Sequence, residues 1–192
     1  MAEMMKGNEA IAEAAIRAGA RFYAGYPITP SSEIMEYLSW RMNEVGGAFV
    51  QAESELAGIN MVIGASSCGV RALTASSGPG ISLKQEGIST LCDEGLPAVV
   101  ITQVRYGNGL GTLFTSQCDY HRETRGGGQG DYRCIVLCPS SIQEFVDLML
   151  PAYELAEKYR IVTIMMGEGT LGQMMEPVEL PDFVEPKRTP WE

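Results

Sequence analysis

Strand-length apolar runs alternate with segments of helical periodicity along most of this 192-residue chain, and this alternation limits the possible folds more than any other feature. The longest run, residues 98–104, is mostly apolar and lacks the polar–apolar alternation of a half-exposed strand. Such strands are typical of parallel sheets, where helices cover both faces. The pattern predicts an α/β domain with a mostly parallel sheet of about six strands and helices on both faces.

The bounds of the predicted elements follow from apolar periodicity and from glycine and proline stops. The helix at 55–67 is apolar nearly all round, which predicts that it is buried. Pro151 is expected to kink or break the last long helix. We predict strands at residues 21–24, 48–51, 70–75, 98–104, 133–138 and 161–166, and helices at 8–18, 30–44, 55–67, 80–91 and 141–159.

Two segments lack this periodicity. Residues 105–130 contain seven glycines, and such segments inside a domain are usually functional or disordered loops. Residues 172–192 contain four of the ten prolines and no apolar pattern. We therefore predict one domain over residues 1–172 and, over 173–192, an exit linker toward a second domain that is absent from this chain.

Composition excludes several classes of protein. The net charge of −10 argues against a nucleic-acid partner, which would need a basic surface to neutralise phosphates. No apolar run is long enough to span a membrane, and the N-terminus lacks the apolar core of a signal peptide, so a cytoplasmic location is predicted. The five cysteines form no Cys-x-x-Cys cluster, and they are expected to be reduced thiols that bind neither a metal nor an iron–sulfur cluster.

A helix start follows the first predicted strand. Thr29 suits the N-cap position and Pro30 the first helical position, while the N–H groups of Ser31 and Ser32 are left unpaired. From these residues alone two interpretations stay open. The Thr29 hydroxyl caps its own helix, or the hydroxyl and the free N–H groups bind an anion such as a carboxylate.

Two glutamates stand where the second predicted strand gives way to the apolar helix. Favourable charge at a helix N-terminus is enough to explain Glu53. Glu55 is followed by apolar residues, so we expect it to be partly buried, where the charged form of a carboxyl group is disfavoured. Of the two, Glu55 is therefore the carboxyl group that is expected to be buried.

Four stretches carry a resemblance to a known family: residues 25–34 (GYPITPSSEI), 51–57 (QAESELA), 80–87 (GISLKQEG) and 171–177 (LGQMMEP). They resemble the N-terminal domain of the α subunit of 2-oxoacid:ferredoxin oxidoreductases, most nearly the branched-chain, or 2-oxoisovalerate, type. The resemblance runs from about residue 6 to about residue 177. It implies the pyrimidine-binding domain fold of thiamin diphosphate enzymes.

The resemblance also implies roles for individual residues. Glu55 would hydrogen-bond N1′ of the aminopyrimidine ring and so promote deprotonation of the thiazolium carbon C2. Thr29 and Arg105 would contact the carboxylate of the substrate. The residues expected to line the cofactor and its approach are Tyr26, Pro27, Ile28, Ser76 and Ser77.

Cofactors and partners are likewise implied by the resemblance. The chain lacks the Gly-Asp-Gly motif that binds magnesium and diphosphate, so a β subunit would hold Mg²⁺ and the diphosphate of a shared thiamin diphosphate. Iron–sulfur clusters would lie on partner chains, γ/δ subunits or ferredoxin, in an enzyme of anaerobic metabolism that converts a 2-oxoacid and coenzyme A to acyl-CoA. Two alternatives stay open: a subunit of another thiamin enzyme, of the indolepyruvate oxidoreductase or sulfopyruvate decarboxylase type, or a non-catalytic α/β assembly module.

Overall fold

Six parallel strands form the central sheet of the computed structural model, which describes residues 2–105, 111–114 and 116–185. The predicted α/β class is confirmed, because every neighbouring pair in this sheet is parallel. Numbered in chain order, the strands lie across the sheet as β3 (Ala48–Gln51), β2 (Phe22–Gly25), β4 (Ala72–Ser76), β5 (Ala98–Val104), β7 (Val162–Glu168) and β6 (Ile135–Leu137).

Helices cover both faces of this sheet, which is why its central strands are buried and mostly apolar. The helices are α1 (Gly7–Arg17), α2 (Ser32–Glu44), α3 (Glu55–Ser67), α4 (Gly78–Asp93), α5 (Cys118–Arg125), α6 (Ile142–Tyr159) and α7 (Gly169–Gln173). Along β5, Val99 and Ile101 belong to one hydrophobic cluster with α1, α2 and α6, whereas Ala98 and Val100 belong to the opposite cluster with α3 and α4.

The break expected at Pro151 and the loop expected over residues 105–130 were both wrong. Pro151 does not break α6, which runs without interruption from Ile142 to Tyr159. Buried side chains on both sides of the proline, among them Met149 and Ala152, anchor the helix in the core and offset the lost hydrogen bond. The expected loop at residues 105–130 contains α5, which sequence periodicity missed because the helix is almost entirely polar.

Residues 173–185 differ from the linker predicted for residues 173–192, and residues 186–192 lie outside the described residues. Two further strands, β1 (Glu3–Lys6) and β8 (Met175–Val178), pair antiparallel, and the side chain of Val178 is fully buried in the core. Further along, the Val184 N–H donates to the Arg17 carbonyl. This part of the segment therefore packs on the domain through long-range contacts that no local pattern reveals, and continuation into a second domain stays a prediction.

Parallel strands place their carboxyl ends along one edge of the sheet. The turns after β2, β3, β4 and β5 all emerge there, and in open α/β sheets this edge is where ligands bind. Every residue that the sequence analysis selected as a site residue lies in these turns or at their borders.

Candidate active site

Glu55 begins α3 and its side chain is buried, with 6% of its surface exposed. The neighbouring Ser54 is the N-cap residue, and its hydroxyl accepts a hydrogen bond from the Ala57 N–H at 3.2 Å. This cap fixes the start of the helix and turns Glu55 toward the interior, whereas Glu53 is exposed. The predicted burial of Glu55 is confirmed.

The first turn of α4 leaves room for the Glu55 carboxyl group. A Cβ atom at Gly80 would lie 2.7 Å from Glu55 Oε1 and would also collide with the Ser76 hydroxyl. Only glycine at this position allows the carboxyl group, the hydroxyl at the end of β4 and the helix backbone to meet. Glu55 and Ser76 are thus brought together from opposite sides of the helix start.

The hydroxyl groups of Ser76 and Ser77 are fully buried and have no hydrogen-bond partner among the described residues. A buried hydroxyl without a partner costs free energy, so such groups are uncommon unless they bind something. Here they lie at the carboxyl end of β4, beside a buried carboxyl group. The arrangement fits a ligand with hydrogen-bonding ring or chain atoms, as the predicted cofactor contacts of Ser76 and Ser77 require.

Arg105 connects β5 to the two neighbouring turns. Its side chain is 5% exposed, its Nη1 donates to the Thr29 carbonyl at 2.8 Å, and its Nε has no partner among the described residues. A Cβ atom at Gly78 would lie 2.7 Å from that Nε, so there is no space for a side chain. Gly78 also has a φ of +45°, a backbone conformation that favours glycine. Thr29, Gly78 and Arg105 therefore meet at this edge of the sheet.

The predicted capping role of Thr29 was wrong. α2 begins at Ser32 and Ser31 occupies the N-cap position, where its hydroxyl donates to the Ile28 carbonyl instead of capping the helix. The Pro30 carbonyl accepts hydrogen bonds from Asn8 Nδ2 at 2.7 Å and from Gln173 Nε2 at 3.2 Å. These long-range contacts hold residues 28–31 in a turn, which no local pattern could show.

Thr29 is exposed in this turn, and the peptide bond to Pro30 is cis. Tyr26 and Pro27 are also exposed and Ile28 is half-buried, so the four residues after β2 present an open surface beside Arg105. The structure thus brings the predicted site residues of three turns together with Arg105, which follows β5. These residues are Thr29 after β2, Glu55 after β3, and Ser76 and Ser77 at the end of β4. Their roles stay predictions.

Lys84 is a buried charge that the sequence analysis missed. Its side chain is fully buried on α4, and its Nζ donates to Thr74 Oγ1 at 3.0 Å and to the Glu55 carbonyl at 3.4 Å. Burial lowers the pKa of the Lys84 ammonium group to about 8, although the nearby Glu55 acts to raise it. Helical spacing contained the signal, since Lys84 lies on the same face as the buried Ile81 and Ile88.

The buried lysine makes stability depend on pH. Because the pKa of Lys84 falls from 10.5 to about 8 on folding, the unfolded chain holds more protons between these values, and the free energy of unfolding should rise with pH there. The total rise is about 3 kcal/mol, at about 1.4 kcal/mol per pH unit. Urea unfolding at several pH values should show this rise in the wild type and not in Lys84→Met. Equal slopes in the two proteins would contradict the assignment.

A second unpredicted feature is a charged cluster on α5. Arg122 pairs with Asp119 at 2.9 Å and with Glu123 at 3.0 Å, and its Nη1 donates to the Gly78 carbonyl at 3.0 Å. Burial raises the pKa of Glu123. The cluster ties α5 to the N-terminus of α4 and so supports the turn that carries Ser77 and Gly78.

Within the described ranges, no helix is long and apolar enough to cross a membrane. No group of three or more His, Cys, Asp or Glu side chains in that part of the chain could hold a metal ion. None of the five cysteines forms a disulfide.

Fold and candidate site together define a class: an α/β domain with a candidate ligand site at the carboxyl edge of a parallel sheet. Residues 13–190 match the family described as pyruvate flavodoxin/ferredoxin oxidoreductase, thiamine diP-bdg (thiamine diphosphate-binding). The chain belongs to this family, and the resemblance seen in the sequence is confirmed.

Named relatives agree with this assignment. The chain is 53% identical over 180 residues to ketoisovalerate oxidoreductase subunit VorB of Methanothermobacter marburgensis, covering 94% of this chain and 51% of that protein. It is 46% identical over 184 residues to 2-oxoglutarate synthase subunit KorA of Methanocaldococcus jannaschii, covering 95% of this chain and 50% of that protein. The chain therefore spans about half the length of the curated relatives it matches.

A solved structure shows the same fold. The 2-oxoglutarate:ferredoxin oxidoreductase from Magnetococcus marinus, with 2-oxoglutarate, coenzyme A and succinyl-CoA bound, superposes with a TM-score of 0.92 at 32% sequence identity. The match covers 100% of this chain and 34% of that one.

Proposed function

We propose that this chain is the pyrimidine-binding domain of the α subunit of a 2-oxoacid:ferredoxin oxidoreductase that converts branched-chain 2-oxoacids to acyl-CoA. The observation that carries the proposal is the buried Glu55 carboxyl group, which lies against Gly80 beside the unpartnered hydroxyl of Ser76. The identity to a ketoisovalerate oxidoreductase subunit supports the substrate class.

We propose the following roles for the candidate site residues. Bound thiamin diphosphate supplies a nucleophilic carbon and an electron sink for the loss of CO₂ from a 2-oxoacid. Glu55 holds a proton at N1′ of the aminopyrimidine ring, and Ser76 and Ser77 donate to the cofactor from the end of β4. Arg105 and Thr29 hold the substrate carboxylate. The remaining turn residues, which line the approach, are Tyr26, Pro27 and Ile28.

The proposal assigns Mg²⁺ and the cofactor diphosphate to a β subunit, and iron–sulfur clusters to further subunits or ferredoxin. Exposed apolar side chains on the α3–α4 side of the sheet support this division. α3 was expected to be buried all round, but Leu56 and Met61 are 43% and 37% exposed, and Leu83 on α4 is 47% exposed. These three side chains, here called the outer apolar face, suit a permanent partner.

Charges placed on the outer apolar face should weaken subunit assembly. Leu56→Glu or Leu83→Glu is expected to raise the dissociation constant of the complex with the β subunit by roughly 10- to 100-fold, because burying a leucine contributes about 1.5–3 kcal/mol. Trp40→Glu is the matched control, since Trp40 is 51% exposed on α2, across the sheet. Analytical ultracentrifugation would measure the binding. If Trp40→Glu weakened the complex as much as the leucine variants, the outer apolar face would not be the partner surface.

The function is tested on the complex isolated from its source. We expect bound thiamin diphosphate, iron–sulfur absorbance, and ferredoxin reduction that depends on both a 2-oxoacid and coenzyme A, whereas this chain alone should bind the cofactor weakly and be inactive. Decarboxylation without ferredoxin would favour a sulfopyruvate decarboxylase type, and a preference for arylpyruvates an indolepyruvate oxidoreductase type. A complex without thiamin would favour the remaining alternative, a non-catalytic α/β assembly module.

A further inference from the structure

Lys84 and Gly80 occupy the same face of α4, one helical turn apart, and both face the start of α3. The missing Cβ of Gly80 makes room for the Glu55 carboxyl group, while the Lys84 Nζ lies 3.4 Å from the Glu55 carbonyl. A fully buried cation therefore lies beneath the residue proposed to handle protons, and the function proposed above gives it no role.

The surroundings of the Lys84 ammonium group compensate its charge only in part. Its nearest acceptor is the neutral Thr74 hydroxyl at 3.0 Å, and Lys84 forms no ion pair with any residue that the structure describes. The start of α3 presents the positive end of the helix dipole, which disfavours a cation. The carboxylate whose field acts on Lys84 is that of Glu55. Because a buried unpaired charge is costly, stability does not account for a lysine here.

We propose that Lys84 is a positioning residue that keeps the Glu55 carboxyl group ionised and so holds the shared proton on the pyrimidine nitrogen of the cofactor. The step moves one proton from the carboxyl oxygen toward N1′, and no other bond changes. A nearby buried positive charge favours the charged form of a carboxyl group, which gives the effect its sign. The proposal rests on the proposed function, and it names Lys84 as the group that controls whether the shared proton lies on Glu55 or on N1′.

Other charged or titratable groups border the same region. Arg105 approaches from the end of β5 and Arg122 from α5, and both contact Gly78 at the start of α4. On β2, Tyr23 is buried and burial raises its pKa, so it stays neutral. Glu53 precedes α3 and is exposed. All of these groups are retained in the variants described next, so differences between the variants report on residue 84.

The first measurement needs no cofactor. Infrared difference spectra of the cofactor-free complex, taken between a protein with Glu55 and the same protein with Glu55→Gln, isolate the carboxylate band of Glu55 as pH is varied. In the Lys84→Met background, the midpoint of this band should move upward by about one pH unit or more, a tenfold gain in proton affinity. An unmoved midpoint overturns the proposal.

Two control variants separate charge from packing. Lys84→Gln is neutral but can still donate to Thr74, so it should shift the midpoint as Lys84→Met does. If Lys84→Gln behaves as wild type, the hydrogen bond and not the charge matters, and the proposal is wrong. Lys158→Met removes an exposed lysine near the end of α6, at the opposite edge of the sheet, and should move nothing.

The second measurement uses the loaded complex. The pH dependence of hydrogen exchange at C2 of bound thiamin should show its acidic limb displaced upward in both Lys84 variants, in parallel with the infrared midpoint. A shifted midpoint with an unchanged exchange profile would overturn the positioning role. If the wild-type complex bound no thiamin, the proposed function would fail, while the infrared titration would still decide whether Lys84 controls the charge of Glu55.

Discussion

Glu55→Gln in the assembled complex is expected to slow hydrogen exchange at C2 of bound thiamin by ~10²–10⁴, the usual scale for a lost acid–base group. The amide fills the same space against Gly80 but cannot share a proton with N1′ in the same way, so the cofactor should remain bound. The buried position of Glu55, capped by Ser54, gives the carboxyl group one fixed orientation. Exchange followed by NMR after rapid acid quench measures the effect.

Glu53→Gln is the matched control for this experiment. The two residues are two positions apart and carry the same group, but Glu53 is exposed and the Glu55 side chain is buried. The Glu53 variant should exchange at nearly the wild-type rate. Equal losses in both variants would reject the assignment of Glu55 as the proton-handling residue.

Arg105→Ala is expected to raise KM for every 2-oxoacid tested by roughly 10- to 100-fold, since a hydrogen bond to a charged group contributes about 1.5–3 kcal/mol. The guanidinium group has an Nε without a partner in the described part of the chain and is anchored by its bond to the Thr29 carbonyl at 2.8 Å. Its charge is therefore held at the edge of the sheet where the substrate carboxylate is proposed to bind. Steady-state kinetics of the complex measure the change.

Two comparisons sharpen this prediction. The aldehyde that corresponds to each 2-oxoacid has no carboxylate, so Arg105→Ala should affect it much less; an equal loss for both compounds would show that Arg105 does not bind the carboxylate. Thr29→Val should raise KM less than Arg105→Ala does. Because Thr29 does not cap α2, the valine variant should also change the free energy of unfolding by no more than about 0.5 kcal/mol.

Local patterns in the sequence were sufficient for the layout of the domain. The predicted strands at 48–51 and 98–104 and the helix at 55–67 coincide with β3, β5 and α3. The strand β5 could be predicted because a strand covered on both faces is mostly apolar, a property of neighbouring residues alone. The burial of Glu55 followed in the same way, from the apolar residues after it in the helix.

Features that depend on distant residues could not be predicted in this way. The turn at Thr29 is held by Asn8 and Gln173, which lie 22 and 143 residues from Pro30. Similarly, β8 forms only because its partner strand lies at the other end of the chain. Such contacts are formed by residues that lie far apart in the chain, so no local spacing indicates them.

The sequence by itself thus determined the parallel α/β sheet, the edge at which the site lies, and the residue types gathered there. The tertiary structure decided which of these groups meet: Glu55 with Ser76 across Gly80, and Arg105 with Thr29. It also decided that the buried Lys84 ammonium group contacts the backbone carbonyl of Glu55. The physical reason is that periodicity specifies which face of an element is buried, whereas hydrogen bonds and fields between side chains depend on how separate elements pack together.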